Sequence, residues 1–295
     1  MNFPRYLILA ILVSGWSHPA LAQDTLNLWE GLDKPFYLEN DLIETEKEHG
    51  ETLCVFDVTE PTLTIYPAEG ENSGRAVVII PGGNYEVVVI HNEGHDIAKR
   101  LAAEGITAAV LKYRIPNPKS SNRPEMVPLV DAQRALKILR EKADDYGIEK
   151  SSVGVVGFSA GSHLSTVACL WKSNDWMENP NFAGLIYGVT ILDEDNQKWL
   201  EENLYFRQLY RIDQARNRLL DLVTVQTPPA FLVHAYDDDV SKVEESTTYA
   251  QKLNEFGVST EMHLFPTGGH GFGVGRAEGG TDQWLGLFAS WVKSR

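Results

Sequence analysis

Residues 153–164 read VGVVGFSAGSHL and combine an apolar strand, a tight turn and the start of a helix. Within them, residues 157–161 form a G-x-S-x-G pattern, in which glycines allow a sharp turn that presents the serine hydroxyl above the sheet. The helix from Ala160 to about Lys172 favours negative charge at its first turn. We therefore predict that Ser159 is a nucleophile. The alternative is an ordinary turn between a strand and a helix.

The same alternation of apolar strands and amphipathic helices continues on both sides of this segment. The strand of this segment is predicted at 153–158, and further strands are predicted at 62–66, 76–80, 107–113, 185–192, 230–235 and 260–265. Helices are predicted at 93–104, from Pro128 through Leu139, at 243–256 and at 282–293. This alternation predicts an α/β fold with a mostly parallel central sheet and helices on both faces. Residues 23–66 are expected to add antiparallel edge strands.

The mature chain is predicted to be one domain, residues 23–295, because no linker, repeat or low-complexity segment divides it. Residues 193–227 are too long for a simple crossover between strands. We predict that they form a small helical cap insertion over the site.

Residues 1–22 have the features of a secretory signal peptide. Arg5 gives a short positive region, and the apolar run 7–13 is too short to span a bilayer. Ala20-Leu21-Ala22 matches the small-x-small cleavage pattern. We expect cleavage before Gln23 and a secreted or periplasmic product. A membrane anchor is the alternative, and the short run does not favour it.

Composition excludes several classes of partner. The chain has 295 residues and a net charge of −15, and an acidic surface repels phosphate backbones and anionic lipid. We therefore expect no nucleic-acid and no membrane partner, while the oligomeric state stays open. Cys54 and Cys169 are too few for a disulfide scaffold or a multi-cysteine metal site. We expect both to be small buried hydrophobes rather than a disulfide pair.

A serine nucleophile needs a general base and a carboxylate that orients the base. On a sheet of this kind the chain order is serine, then the acid, then histidine. His270 lies in the glycine-rich run GGHGFG directly after the strand 260–265, which makes it the preferred base. The acid is expected among Asp237, Asp238 and Asp239, which follow the strand 230–235. Physical reasoning alone leaves the choice among these three open.

Stabilising an oxyanion requires backbone N–H donors close to the nucleophile. The N–H of Ala160, the residue after the nucleophile, is one predicted donor. A second is expected from the loop PGGNY at residues 81–85, where small residues let the backbone approach a substrate. The alternative is an ordinary Gly-Gly turn.

Together these features resemble the α/β-hydrolase superfamily. A narrower resemblance, over roughly residues 75 to 275, is to bacterial secreted acetylxylan-esterase-like hydrolases, which are related to the feruloyl-esterase and prolyl-oligopeptidase-like groups. It rests on the following segments: PGGNY at 81–85, HNEG at 91–94, LKYRIP at 111–116, Pro128 with DAQRA at 131–135, GFSAGSHL at 157–164, HAYDDDVSKVEES at 234–246 and GGHGFG at 268–273.

The resemblance implies roles for six residues and no metal or organic cofactor. By position, the catalytic residues are Ser159 as nucleophile, Asp238 as acid and His270 as base. The oxyanion residues are Gly83, Asn84 and Ala160. This chain departs from the family pattern at three places: Asn84 replaces a usual third glycine, Ser162 stands where glycine is common, and Ser241-Lys242 replaces Val-Pro.

The implied activity is hydrolysis of acyl esters, above all acetyl esters, on a plant polysaccharide or oligosaccharide such as xylan. A general carboxylesterase or lipase-like enzyme acting on small esters is one alternative. A catalytically silent binding protein on a hydrolase scaffold is another. Peptidase activity is disfavoured, because in related folds it usually accompanies a large N-terminal propeller, for which the predicted mature chain leaves no room. Six aromatic residues are expected either to stack on sugar rings or simply to pack the cap: Trp171, Trp176, Trp199, Tyr205, Phe206 and Tyr210.

Overall fold

The computed structural model describes residues 23–49 and 52–295. The predicted signal peptide, residues 1–22, therefore lies outside the described residues. In the described part, strands form an eight-stranded sheet and a three-stranded sheet. The strands are β1 Asp24–Asn27, β2 Thr45–His49, β3 Thr52–Phe56, β4 Thr62–Tyr66, β5 Ala76–Ile80, β6 Val87–Val88, β7 Thr107–Lys112, β8 Val153–Phe158, β9 Ala183–Ile186, β10 Ala230–Ala235 and β11 Thr260–Phe265.

The large sheet has the strand order β1-β4-β7-β5-β8-β9-β10-β11. The pairs from β7 through β11 are all parallel, whereas β4 pairs antiparallel with both β7 and β1. The fold is thus the predicted mostly parallel α/β sheet, with antiparallel pairing at the edge that the N-terminal part supplies. Strands β5, β8 and β10 are buried along their whole length, as expected of strands covered on both faces.

The helices of the described residues are α1 Asp96–Ala103, α2 Val127–Glu141, α3 Ala143–Tyr146, α4 Ala160–Leu170, α5 Glu194–Leu200, α6 Arg211–Asn217, α7 Glu244–Glu255 and α8 Trp284–Lys293. Helices α1, α2, α7 and α8 each bury a mainly apolar face, and α4 is buried on nearly all sides. In α2, Pro128 occupies the first turn, where its missing N–H costs no hydrogen bond. None of the helices in this part of the chain is both long and apolar enough to cross a membrane.

Most predicted elements agree with the structure to within two residues at each end, and two differ in extent or in helix type. The strand predicted at 185–192 is β9, and it ends at Ile186 because Tyr187 has a φ of 40°, which turns the chain out of the sheet. The helix predicted at 93–104 starts earlier, as one π-helical turn at His91–His95, and continues as α1. Its end at Gly105 is confirmed, since that glycine has a φ of 76°.

The N-terminal segment also forms a structure that was not predicted. Strands β2 and β3 make an antiparallel hairpin, and β3 pairs antiparallel with β6 in the three-stranded sheet. Residues 23–66 therefore supply edge strands to the large sheet and a separate small sheet as well. Cys54 in β3 and Cys169 in α4 are both free and buried, in agreement with the expectation of small buried hydrophobes.

The segment 193–227 is helical, with α5, one π-helical turn, α6 and a short 3-10 turn. Trp199 at the end of α5 donates its indole N–H to Asn84 Oδ1 over 2.6 Å. Asn203 donates its side-chain N–H to the Asn84 carbonyl over 3.0 Å. These contacts attach the segment to the loop after β5, beside Ser159.

Candidate active site

Ser159 occupies a strained turn between β8 and α4. Its φ of 51° and ψ of −121° lie outside the regions that non-glycine residues usually adopt. The neighbouring glycines permit the turn: a Cβ on Gly157 would lie 2.2 Å from the Gly161 carbonyl oxygen, and one on Gly161 would lie 2.1 Å from that of Ile80. Such strain persists only where the surrounding structure holds it, and it is typical of functional sites.

The structure brings His270 and Asp238 to this serine. His270 lies in the loop after β11, and its Nε2 is 2.8 Å from Ser159 Oγ. Its Nδ1 is 2.9 Å from Asp238 Oδ2, in the loop after β10. With the imidazole proton on Nδ1, His270 donates to the carboxylate and accepts from the serine hydroxyl. This tautomer leaves Nε2 free to take the serine proton.

The three adjacent aspartates are in different positions. Asp238 is buried, whereas Asp237 and Asp239 are exposed. Asp237 accepts a hydrogen bond of 2.8 Å from the Gly269 N–H and so fastens the histidine loop from outside. Among the described hydrogen bonds, only Asp238 of these three contacts the His270 ring. Geometry thus distinguishes residues that sequence reasoning left open.

Asp238 is surrounded by donors that favour its charge. Its Oδ1 accepts from the backbone N–H groups of Val240 and Ser241 over 3.0 and 2.9 Å. Burial opposes ionisation, but hydrogen bonds from His234 and His270 outweigh it and hold the pKa of Asp238 well below its usual range. The carboxylate therefore stays charged at neutral pH. The replacement of the family's Val-Pro by Ser241-Lys242 keeps the hydrogen bonding to Asp238, because the backbone N–H of Ser241 is one of the donors.

Two of the predicted oxyanion residues, Gly83 and Asn84, line the same cavity as Ser159, and Ala160 directly follows the serine at the start of α4. Gly83 has a φ of 124°, and a Cβ there would lie 2.2 Å from the Val87 carbonyl oxygen, so only glycine fits. In the described hydrogen bonds, the backbone N–H groups of Gly83, Asn84 and Ala160 have no protein acceptor. The N–H of Gly82, by contrast, is donated to Glu93 over 2.7 Å. Three donors are therefore available near the serine.

A cavity of about 650 Å³ opens above Ser159 and His270. Its other lining residues come from the β2–β3 hairpin, the segment from the loop after β5 through β6 to the π-helical turn, and the loops after β10 and β11: His49, Thr52, Cys54, Phe56, Gly83, Asn84, Glu86, Val87, Val89, Asn92, Glu93, Val240 and Gly271. His91 Nε2 lies 2.8 Å from Glu46 Oε1 and ties the hairpin to that turn. Sequence reasoning missed this wall of the cavity.

Glu93 is a second residue that sequence reasoning missed. It is only 4% exposed and lies at the bottom of the cavity, against the loop that carries Gly83. In the sequence Glu93 is the first residue of the predicted helix 93–104 and part of the HNEG segment, and a glutamate in a polar run indicates a solvated position. The π-helical turn directs this side chain inward instead.

The six aromatic residues in and beside the cap do not line this cavity. Trp199 stacks on Tyr85 with ring centroids 5.5 Å apart, and Tyr205 is buried and hydrogen-bonded to Asn217. Trp176 contacts Arg140 on another part of the surface. Of the two expectations, packing of the cap rather than stacking on sugar rings therefore describes Trp199 and Tyr205. The aromatic ring in the cavity wall is that of Phe56.

Comparisons with known proteins agree with the fold described above. A family model described as alpha/beta hydrolase fold matches residues 77–274, which is well over half of the chain. The chain belongs to the α/β-hydrolase family. The match includes the strands from β5 to β11 apart from the first residue of β5, the elbow at Ser159 and the loops that carry Asp238 and His270. The fold class predicted from the sequence is thereby confirmed.

Individual relatives show the narrower likeness. An acetylxylan esterase of Xylanibacter ruminicola is 32% identical over 227 residues, which are 75% of this chain and 46% of that protein. Endo-1,4-beta-xylanase B of Butyrivibrio fibrisolvens is 28% identical over 238 residues, 74% of this chain and 35% of that protein. The match thus spans less than half the length of both relatives.

Among solved structures, an acetyl ester-xyloside bifunctional hydrolase from Caldicellulosiruptor lactoaceticus superposes with a TM-score of 0.76 and 28% sequence identity. The superposition covers 92% of this chain and 96% of that one. The predicted resemblance to acetylxylan-esterase-like hydrolases is confirmed by these findings.

Proposed function

We propose that the protein is a serine esterase that removes acyl groups, above all acetyl groups, from xylan or a related plant polysaccharide or oligosaccharide. One observation carries the proposal: Ser159 Oγ, the His270 ring and the Asp238 carboxylate form an unbroken hydrogen-bonded chain at the base of an open cavity. This is the arrangement that activates a serine hydroxyl for acyl transfer.

The mechanism follows from the position of each group. His270 Nε2 takes the Ser159 proton as the hydroxyl oxygen attacks the ester carbonyl carbon, and Asp238 stabilises the resulting imidazolium. The N–H groups of Gly83 or Asn84 and of Ala160 bind the oxyanion; loss of one such donor typically costs about 100- to 1000-fold in rate. The sugar alcohol leaves with the proton from His270. Water then attacks the acyl-enzyme, and the free acid is released.

The lining of the cavity supports a short acyl group on a polar leaving group. Cys54, Phe56, Val87 and Val89 provide apolar surface, which suits an acetyl methyl group. Polar side chains in the same lining offer hydrogen bonds to sugar hydroxyls: Thr52, Asn84, Glu86 and Asn92. The relatives named above as an acetylxylan esterase and an acetyl ester-xyloside hydrolase support the same class of substrate.

A general carboxylesterase acting on small esters is the second candidate. The apolar part of the lining favours it, because that surface accepts a short acyl chain whatever alcohol is attached. A silent binding scaffold has less support, since all three groups of the hydrogen-bonded chain are present and in contact.

We also propose that the protein is exported to the periplasm or the medium. Support comes from residues 1–22, which have the positive, apolar and small-residue regions of a signal peptide. N-terminal sequencing of the protein recovered outside the cytoplasm should give Gln23 as the first residue. An uncleaved N-terminus on exported protein, or retention in the cytoplasm, would contradict export by this route.

The substrate test compares acetate release from acetylated xylan and xylo-oligosaccharides with turnover of a p-nitrophenyl ester series. Wild type and Ser159→Ala are measured side by side. Acetate release from the sugars by wild type, lost in Ser159→Ala, is the expected result. Turnover confined to p-nitrophenyl esters would overturn the xylan assignment and favour the general carboxylesterase. No turnover of either substrate would favour the silent scaffold.

A further inference from the structure

Glu93 is a buried carboxylate for which the mechanism above has no use. Its Oε2 accepts the Gly82 N–H over 2.7 Å, and its Oε1 accepts the Tyr187 hydroxyl over 2.8 Å. Gly82 directly precedes Gly83 and packs on the nucleophile, since a Cβ at Gly82 would lie 2.9 Å from Ser159 Cβ. One end of the Glu93 carboxylate therefore fixes the loop that carries the proposed oxyanion donors Gly83 and Asn84.

Tyr187 connects the other end of the carboxylate to the histidine loop. The tyrosine is fully buried, and its hydroxyl oxygen accepts the Gly273 N–H over 3.1 Å. Its ring centroid lies 5.1 Å from that of His270 and 4.6 Å from that of Phe272. The left-handed backbone at Tyr187, with a φ of 40°, is unfavourable for a bulky residue and persists because these contacts hold it.

These bonds form one continuous path from Gly82 through Glu93 and Tyr187 to Gly273. The path links the two loops on either side of Ser159, the loop at 81–85 and the loop at 268–273, by hydrogen bonds. We propose that Glu93, acting through Tyr187, is a positioning residue that holds the oxyanion loop and the His270 loop in their reactive arrangement. This inference rests on the proposed esterase function.

The donor set explains why the position needs a carboxylate. Gly82 N–H and Tyr187 O–H both point at it, and a carboxyl group has an acceptor oxygen for each, whereas an amide has one acceptor oxygen. Burial raises the pKa of Glu93, while the hydrogen bonds from Gly82 and Tyr187 and the proximity of His270 act in the opposite direction.

Glu93→Gln preserves the shape of the side chain and separates positioning from folding. An amide can still accept the Gly82 N–H, but its NH₂ then faces Tyr187, whose hydroxyl proton loses its acceptor. With p-nitrophenyl acetate we expect kcat about 10-fold lower, because a charge-assisted hydrogen bond is lost, while KM stays within about threefold of wild type. Glu93→Ala removes both bonds, and we expect kcat about 100-fold lower.

Glu245 offers a matched control. It too is a buried carboxylate with a pKa raised by burial, and it accepts the backbone N–H groups of Thr190 and Ile191 over 2.7 Å each. It is not among the residues that line the cavity, and its described side-chain hydrogen bonds go to Thr190, Ile191 and Asn196, outside the loops 81–85 and 268–273. Glu245→Gln is expected to lower the melting temperature and leave kcat within about threefold of wild type.

Tyr187→Phe completes the test, because it breaks the same bond from the other side. If Glu93 acts through Tyr187, the double variant Glu93→Gln/Tyr187→Phe should have nearly the same kcat as the less active of the two single variants. Its fold-loss in kcat should not be the product of the two single losses. Multiplicative losses would overturn the coupling through Tyr187. An unchanged kcat in Glu93→Gln, or an equal loss in Glu245→Gln, would overturn the positioning role of Glu93.

Ser159→Ala, measured in parallel, separates this inference from the proposed function. If wild type hydrolyses the ester and Ser159→Ala does not, the esterase stands and the Glu93 variants decide the inference by themselves. Absence of Ser159-dependent turnover in wild type would instead overturn the proposed function, and the inference with it.

Discussion

Asp238→Asn is expected to abolish most of the activity by changing the tautomer of His270. The backbone N–H groups of Val240 and Ser241 both point at Asp238 Oδ1. In the variant they hold the amide oxygen on that side, so the amide NH₂ faces His270 Nδ1. Nδ1 must then accept, and the imidazole proton moves to Nε2. The ring can no longer take the proton of Ser159.

The size of the effect follows from the chemistry of the site. In serine hydrolases a histidine in the wrong tautomer lowers kcat by about 10⁴-fold. That factor corresponds to about 5.5 kcal/mol of transition-state stabilisation. Substrate binding does not use the Asp238 carboxylate, which is buried behind the ring. We therefore expect KM to change little and nearly the whole loss to fall on kcat.

Asp237→Asn is the matched control, one residue away and with the same chemical change. Its single described hydrogen bond, from the Gly269 N–H over 2.8 Å, is one that an amide oxygen also accepts. Its kcat should remain within about threefold of wild type. Steady-state hydrolysis of p-nitrophenyl acetate measures both variants. Equal losses in the two, or more than about a tenth of wild-type kcat in Asp238→Asn, would refute this account of the acid.

Three further outcomes are expected. Gly161→Ala places a Cβ 2.1 Å from the Ile80 carbonyl oxygen, so the protein should lose about 1–3 kcal/mol or more of stability; a thermal melt unchanged from wild type would exclude that clash. Trp199→Phe removes the 2.6 Å bond to Asn84 Oδ1 while keeping an aromatic ring, so kcat/KM on p-nitrophenyl esters should fall about fivefold, and an unaltered value would mean that the cap contact does not support the loop. The pKa of Asp238 is lower in the folded than in the unfolded protein, so the ionised carboxylate contributes its full stabilisation above about pH 4, and this is lost as the pH falls through the folded pKa. The difference in melting temperature between wild type and Asp238→Asn should therefore shrink on acidification. A difference that stays constant would contradict the lowered pKa.

Short apolar strands were the most predictable part of the fold. The strands at 62–66, 76–80, 153–158, 230–235 and 260–265 agree with the structure at both ends. Each is a run of apolar or alternating residues bounded by glycine, proline or polar residues, so the local sequence shows where the strand begins and ends. The strand predicted at 185–192 continues too far, because the hydrophobic pattern does not show the left-handed turn at Tyr187 that ends β9 at Ile186.

The proximity of Ser159 and His270 could also be predicted from the sequence, because both follow strands and parallel strands gather their carboxyl ends at one edge of the sheet. The choice of Asp238 over Asp237 could not be made on physical grounds. Consecutive residues in a loop point in different directions, and only the backbone donors at Val240 and Ser241 show which carboxylate turns inward.

The β2–β3 hairpin was invisible to pattern analysis for a physical reason. Strand β2 reads TEKEH and is exposed along its whole length, so it has no apolar face to produce alternation. Its place in the cavity wall depends on contacts with distant residues, such as the bond between Glu46 and His91. The inward direction of Glu93 likewise depends on a π-helical turn, which shifts a side chain away from the face that helical periodicity predicts.

Mapping the residue that a fluorophosphonate modifies tests the central claim most directly. Wild type should carry one phosphonyl group per chain, located by peptide mass spectrometry on Ser159, and acetylated xylo-oligosaccharide should slow its formation by occupying the same cavity. No adduct, or an adduct on another residue, would contradict the assignment of Ser159 as nucleophile. An adduct on Ser159 that forms at the same rate with and without the acetylated sugar would contradict the proposed substrate.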